Sequence, residues 1–134
     1  MIYLDNNATT KVHPEVFQAM EPYLRDEFGN PSTGYDLGKR SNEAINKARE
    51  QVSSFLNANE EEIVFTSCGT ESDNAAIYSA LNANTEKRHI VTTSVEHSAV
   101  ILFANSMMPN IEITELGVNS DGVIDLNELE NAIR

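Results

Sequence analysis

Phe65-Thr66-Ser67-Cys68-Gly69-Thr70-Glu71-Ser72-Asp73-Asn74 is the stretch on which the reading of this chain turns. The apolar run Ile63-Val64-Phe65 leads into it and Ala75-Ala76-Ile77 leads out, a strand–turn–helix pattern. The turn brings a glycine, a threonine hydroxyl and several backbone N–H groups to a helix N-terminus. The first N–H groups of a helix have no intrahelical partner and lie at the positive end of its dipole. A phosphate suits such an end. The same residues also make an ordinary capped turn, with Thr70 as the N-cap and Asp73 three residues on. Cap and phosphate use the same helix end, so the two readings are compatible.

Outward from this turn the chain alternates between helical and strand-like segments. Val12 to Asp26 carries an apolar stripe at Val16, Phe17, Met20, Tyr23 and Leu24, with Pro14 suited to a first turn. Pro22 is expected to kink or shorten that helix. A Gly/Pro/Ser loop runs from Gly29 to Gly38. Ser41 to Asn57 is the clearest amphipathic helix, with Ala44, Ile45, Ala48, Val52, Phe55 and Leu56 on one face. Strands are expected at Ile63–Thr66, His89–Thr93 and Ile111–Leu116, and further helices near Glu71–Ala83, Ala99–Met107 and Asp125–Arg134. This alternation predicts an α/β fold, a mostly parallel sheet flanked by helices.

Composition narrows the partners. Nine Lys+Arg against 21 Asp+Glu give a net charge of −12, which repels nucleic acid and anionic membranes. There is no apolar run long enough to span a bilayer, and Met1-Ile2-Tyr3-Leu4-Asp5 lacks the basic and apolar regions of a secretory signal. A single cysteine, Cys68, excludes an internal disulfide framework and suits a reducing cytoplasm. No metal site is expected. Asn119, Asp121, Gly122, Asp125 and Glu128 follow calcium-loop spacing, but the first position would fall on Gly117. The preceding Ile111–Leu116 alternates like a strand where an EF-hand needs a helix, so the stretch reads as a turn at Asp121-Gly122.

Four segments in order resemble cysteine desulfurases of the NifS/IscS type, in the class V aminotransferase group of pyridoxal-phosphate enzymes. They are Tyr3-Leu4-Asp5-Asn6-Asn7-Ala8-Thr9-Thr10, Phe28-Gly29-Asn30-Pro31-Ser32, Phe65–Asn74, and Val95-Glu96-His97-Ser98-Ala99-Val100. The resemblance implies a fold type I pyridoxal-phosphate transferase domain. It divides the chain into an N-terminal arm, helix and loop (1–40) and the start of the cofactor-binding α/β domain (41–134). It also implies an N-terminal portion only, because no Ser-x-His-Lys segment, bearer of the family's cofactor lysine, is present.

By that resemblance Gly69 and Thr70 hold the phosphate of pyridoxal 5'-phosphate. Gly69, without a Cβ, lets the backbone approach closely. His97 binds over the cofactor ring and acts catalytically by moving protons, work suited to a flat base that titrates near neutrality. His13 and His89 match no motif and read as structural. Cys68 does not match the family's persulfide cysteine, which lies farther along such chains; it fills a small-residue position in the turn. Asn7 is a weaker, substrate-facing candidate. Gly34-Tyr35 stands where many members carry a histidine, which bears on substrate handling or a dimer contact.

The implied activity is conversion of L-cysteine to L-alanine, with sulfur passing to a cysteine thiolate for iron–sulfur cluster or thio-cofactor assembly. Its partners would be a sulfur-acceptor or scaffold protein and a second copy in a homodimer. A related selenocysteine lyase or aminotransferase, or a non-catalytic assembly module, are the alternatives. Alone, the chain is expected to turn over no substrate.

Overall fold

The computed structural model describes residues 2–134. Along the chain lie α1 (Pro14–Arg25), α2 (Asp36–Leu56), a 3-10 turn (Glu60–Glu62), α3 (Gly69–Ala83), β1 (His89–Thr93), α4 (Ser98–Ser106), β2 (Glu112–Leu116) and α5 (Leu126–Ala132). They fall into two units, one ending at Val64 and one running Phe65–Arg134. Among the described residues no helix is long and apolar enough to cross a membrane.

In the first unit, His13 caps α1 by accepting the Glu15 N–H at Nδ1, and Pro14 occupies the first turn, where its missing N–H costs nothing. Pro22 does not shorten this helix as expected. The helix continues to Arg25, and the N–H groups of Asp26 and Glu27 converge on the Pro22 carbonyl at 2.8 Å each. A proline so near the C-terminus removes only one bond of the ladder.

Helix α2 begins at Asp36, five residues before the expected Ser41, inside what reads as a loop. Gly38 explains this. A Cβ there would lie 2.6 Å from the Asn30 carbonyl oxygen and 2.7 Å from that of Thr33. The Asn30–Thr33 turn, closed by Thr33 N–H and Oγ1 on the Asn30 carbonyl, therefore packs directly on the first turn of α2. The face buried also differs from expectation. Gly38, Ser41 and Ser53 are buried, whereas Ile45, Val52, Phe55 and Leu56 are exposed. The two buried serines satisfy their hydroxyls on helix carbonyls of Leu37 and Glu50. Asn57 ends the helix in the left-handed region at φ 53°.

In the second unit β1 and β2 pair in parallel, His89 opposite Glu112 and Thr93 opposite Leu116. Parallel neighbours need a crossover, and α4 supplies it. The core comprises Leu81, Ala99, Ala104, Ile111 and Leu116, with Ile111 only 2% exposed. The expected strand Ile63–Thr66 is a correction: it carries no strand assignment, and the described sheet consists of β1 and β2. Periodicity marks a segment suited to a sheet, but a strand exists only where a neighbouring ladder takes its backbone groups. His89 Nε2 bonds Thr114 Oγ1 at 2.8 Å across the pair, a structural role as expected.

Beyond β2, Asn119 Oδ1 accepts the N–H groups of Asp121 and Val123, and Gly122 takes φ 78°. Of the calcium-like spacing, the Asn119 oxygen serves this turn and the Asp125 oxygen caps α5.

Candidate active site

The turn before α3 differs in detail from the expected capped turn. The N-cap is Cys68, extended at φ −167° and ψ 171°, and Gly69 and Thr70 are the first two helical residues. Thr70 is therefore not the cap, and Asp73 closes no capping box with it. Glu71 does that work one turn earlier. Its Oε2 accepts both the Ser67 N–H and the Ser67 hydroxyl, each at 2.6 Å. The Ser67 hydroxyl, and then its N–H, hold the Glu71 carboxyl below the usual carboxylate range. Thr66 Oγ1 and Ser72 Oγ lie 2.6 Å apart and fasten the incoming chain to the helix.

This leaves the helix end open to a ligand. Among the described residues the N–H groups of Gly69 and Thr70 are taken by no oxygen, and the space over Gly69 holds no atom within 4 Å of a would-be Cβ. Cys68 lies among hydrogen-bond donors. The Glu71 N–H, then the Ser67 hydroxyl and the Thr70 N–H, favour its thiolate and lower its pKa, against desolvation and the Glu71 charge. Donors that favour a thiolate favour a phosphate for the same reason. The residues present thus fit the phosphate of pyridoxal phosphate.

His97 is the N-cap of α4, its Nδ1 accepting the Ala99 N–H at 3.1 Å. The acceptor nitrogen cannot carry the proton, so Nε2 is the proton-bearing atom of the neutral ring. The ring is exposed, at the carboxyl end of β1, where parallel sheets present ligands. His13 makes the same kind of cap, so capping alone does not distinguish a structural from a catalytic histidine.

Helix α3, which carries Thr70, packs on α4, the helix that His97 caps. Thr70 and Asn74 face Ser98, Leu102, Phe103 and Ser106 across a groove of about 370 Å³. The Asn74 carboxamide, in the orientation that satisfies its neighbours, donates to the Ala99 carbonyl at 3.1 Å and the Thr70 carbonyl at 3.3 Å. Sequence reasoning missed Asn74 and Glu71. Glu71 was recoverable from its spacing to Ser67; Asn74 was not, because both its partners are backbone carbonyls. Asn7 lies exposed in a turn closed by Ala8 and Thr9 N–H groups on the Asp5 carbonyl. Tyr35, in the departing Gly34-Tyr35 pair, is the extended N-cap of α2 without a side-chain capping bond.

A parallel β–α–β unit preceded by helix α3, with a histidine capping the crossover helix, defines an α/β protein. The family model of aminotransferase class-V matches residues 2–134, and the chain belongs to that family. It is 54% identical to a cysteine desulfurase of Nostoc sp., over 99% of this chain and 34% of that protein. It is 48% identical to the cysteine desulfurase IscS of Methanosarcina thermophila, over 99% of this chain and 33% of that one. Among solved structures, a NifS-like protein superposes with a TM-score of 0.89 at 37% identity, over 98% of this chain and 37% of that chain. SspA in complex with cysteine gives 0.87 at 34% identity, over 98% and 39%. The chain thus spans about a third of the length of the curated relatives it matches.

Proposed function

We propose that the chain forms the phosphate-anchoring and ring-facing part of a pyridoxal-phosphate-dependent cysteine desulfurase. The observation that carries this is the start of α3: a Gly69 N–H with no oxygen partner and a Thr70 N–H turned to the Cys68 thiol, with open space beside Gly69. The 54% identity to a cysteine desulfurase and the likeness to SspA, solved with cysteine, support L-cysteine as substrate. Pyridoxal phosphate, when bound, supplies an electron sink for the substrate's bonding electrons. Gly69 and Thr70 hold the phosphate by N–H donors and the Thr70 hydroxyl. His97 would exchange protons at Nε2, because the Ala99 N–H occupies Nδ1. Sulfur leaves L-cysteine for a cysteine thiolate other than Cys68, giving L-alanine and a protein-bound persulfide. Homodimerisation, a sulfur-accepting or scaffold protein in iron–sulfur assembly, and a cytoplasmic location belong to the same reading.

The test uses the complete protein. Thr70→Val is expected to raise the dissociation constant for pyridoxal phosphate by about tenfold or more, with Thr70→Ser near wild type. His97→Gln is expected to retain the cofactor and to lower kcat for alanine release from L-cysteine by about 10²-fold or more. Wild-type protein that binds the cofactor yet forms no alanine from L-cysteine would overturn the reading.

A further inference from the structure

The Asn74 carboxamide is half-buried between the first turns of two helices and spans them. Its two N–H groups go to the Thr70 carbonyl, one turn back in α3, and to the Ala99 carbonyl of α4. Both main-chain polar groups of Ala99 are used: its carbonyl accepts from Asn74, and its N–H donates to His97 Nδ1 at 3.1 Å. Ala99 itself is 8% exposed, so little room exists for the two turns to slide apart and admit water between them. A continuous line of hydrogen bonds thus runs Thr70–Asn74–Ala99–His97.

We infer that Asn74 is a positioning residue that fixes the His97 imidazole relative to the Thr70 anion turn. The inference rests on the proposed roles of Thr70 and His97 and adds what keeps them in register. Both acceptors are main-chain carbonyls, present whatever the side chains, so the register depends on a donor at position 74. Asparagine offers two N–H donors on one short, rigid arm, enough to serve both carbonyls at once. Without it, two carbonyl oxygens lose their shared donor, and the first turn of α4 is free to shift with the His97 ring it carries. A shift of the order of 1 Å in a positioned group is enough to depress a rate by about 10²-fold.

The experiment compares wild type, Asn74→Leu, which keeps the volume and removes the donors, and Asn74→Ser, which keeps one hydroxyl donor, in the complete protein. Hydrogen exchange of the cofactor-free protein reads the Val100 and Ile101 N–H groups, which bond the His97 carbonyl at 3.0 and 3.3 Å. The expected result is exchange faster by about tenfold in this turn alone in Asn74→Leu, with Asn74→Ser intermediate. Once loaded, Asn74→Leu is expected to lose kcat more than it gains in KM, with a dissociation constant for pyridoxal phosphate raised about three- to tenfold. A merely structural role would instead lower protection throughout Phe65–Arg134 and leave kcat per loaded molecule unchanged, which overturns the inference. Unchanged exchange in the α4 turn overturns it as well. Neither outcome touches the phosphate reading, which Thr70→Val tests separately.

Discussion

At Gly38 a single missing Cβ decides where a helix starts. Any side chain there meets the Asn30 and Thr33 carbonyls, which belong to the turn and cannot swing aside as a flexible side chain would. Gly38→Ala is therefore expected to destabilise the first unit by about 1–3 kcal/mol, although alanine is the better helix former. Thermal or denaturant unfolding checks this; an alanine variant as stable as wild type would show that the turn can retreat. Cys68 makes the complementary point. Its thiol sits where N–H donors favour the thiolate, so alkylation of the Cys68 peptide should reach half its maximal rate below the ordinary thiol range. A midpoint at or above the value of free cysteine would remove the evidence for a positive potential at this turn.

At the scale of elements, the start of α3 is organised by Glu71 rather than by its N-cap. The carboxylate takes two donors of Ser67, and its pKa is lowered by that hydroxyl first and that N–H second. A carboxylate with a depressed folded pKa gives its full contribution above the unfolded value, about 4.3, and loses it as pH falls through the lower folded value. Protection of the Ser67 N–H is therefore expected to be constant at neutral pH and to fall on acidification below about 4.3, with Glu71→Gln abolishing the pH dependence. Exchange at Ser67 measured across that range decides it, and a pH-independent wild type would remove Glu71 from this role. The expected shortening at Pro22 failed for an equally local reason, since the proline lies within one turn of the end of α1.

For the molecule as a whole the surface is the telling quantity. Two separate compact units of half this mass would expose about 8,400 Å² by the usual scaling with size. The chain exposes 10,729 Å². Large apolar side chains contribute to it: Phe55 and Leu4 are each 88% exposed, Val64 and Phe28 each 78%. Exposed patches of this kind associate or bind hydrophobic ligands. The 134-residue chain made by itself is therefore expected to bind an apolar dye such as ANS and to self-associate as concentration rises. A dye-silent monomer by light scattering would contradict this.

Local pattern was enough for β1, for the strand at Glu112–Leu116 and for the identity of α3, α4 and α5, because periodicity and turn residues act over a few neighbours. It was enough also to place a helix start at the Gly69-Thr70 turn, whose residues are contiguous, though not to name Cys68 as its cap. What lay beyond it depended on atoms distant in the chain. The early start of α2 came from a carbonyl eight residues back, Asn30 against Gly38. The apolar faces of α1 and α2 announced burial that these described residues do not provide, since a stripe states what a helix could bury and not whether anything covers it. Ile63–Thr66 had a strand's composition and no place in the β1–β2 ladder. Asn74 spans 25 residues to reach a main-chain oxygen, and no side-chain pattern records a carbonyl. The sequence by itself determined most of the helices, the two strands and the family motifs, all set by contiguous residues; the tertiary structure alone decided which faces were buried, which strand candidates found a ladder and how Asn74 ties α3 to α4, because these depend on packing between segments far apart in the chain.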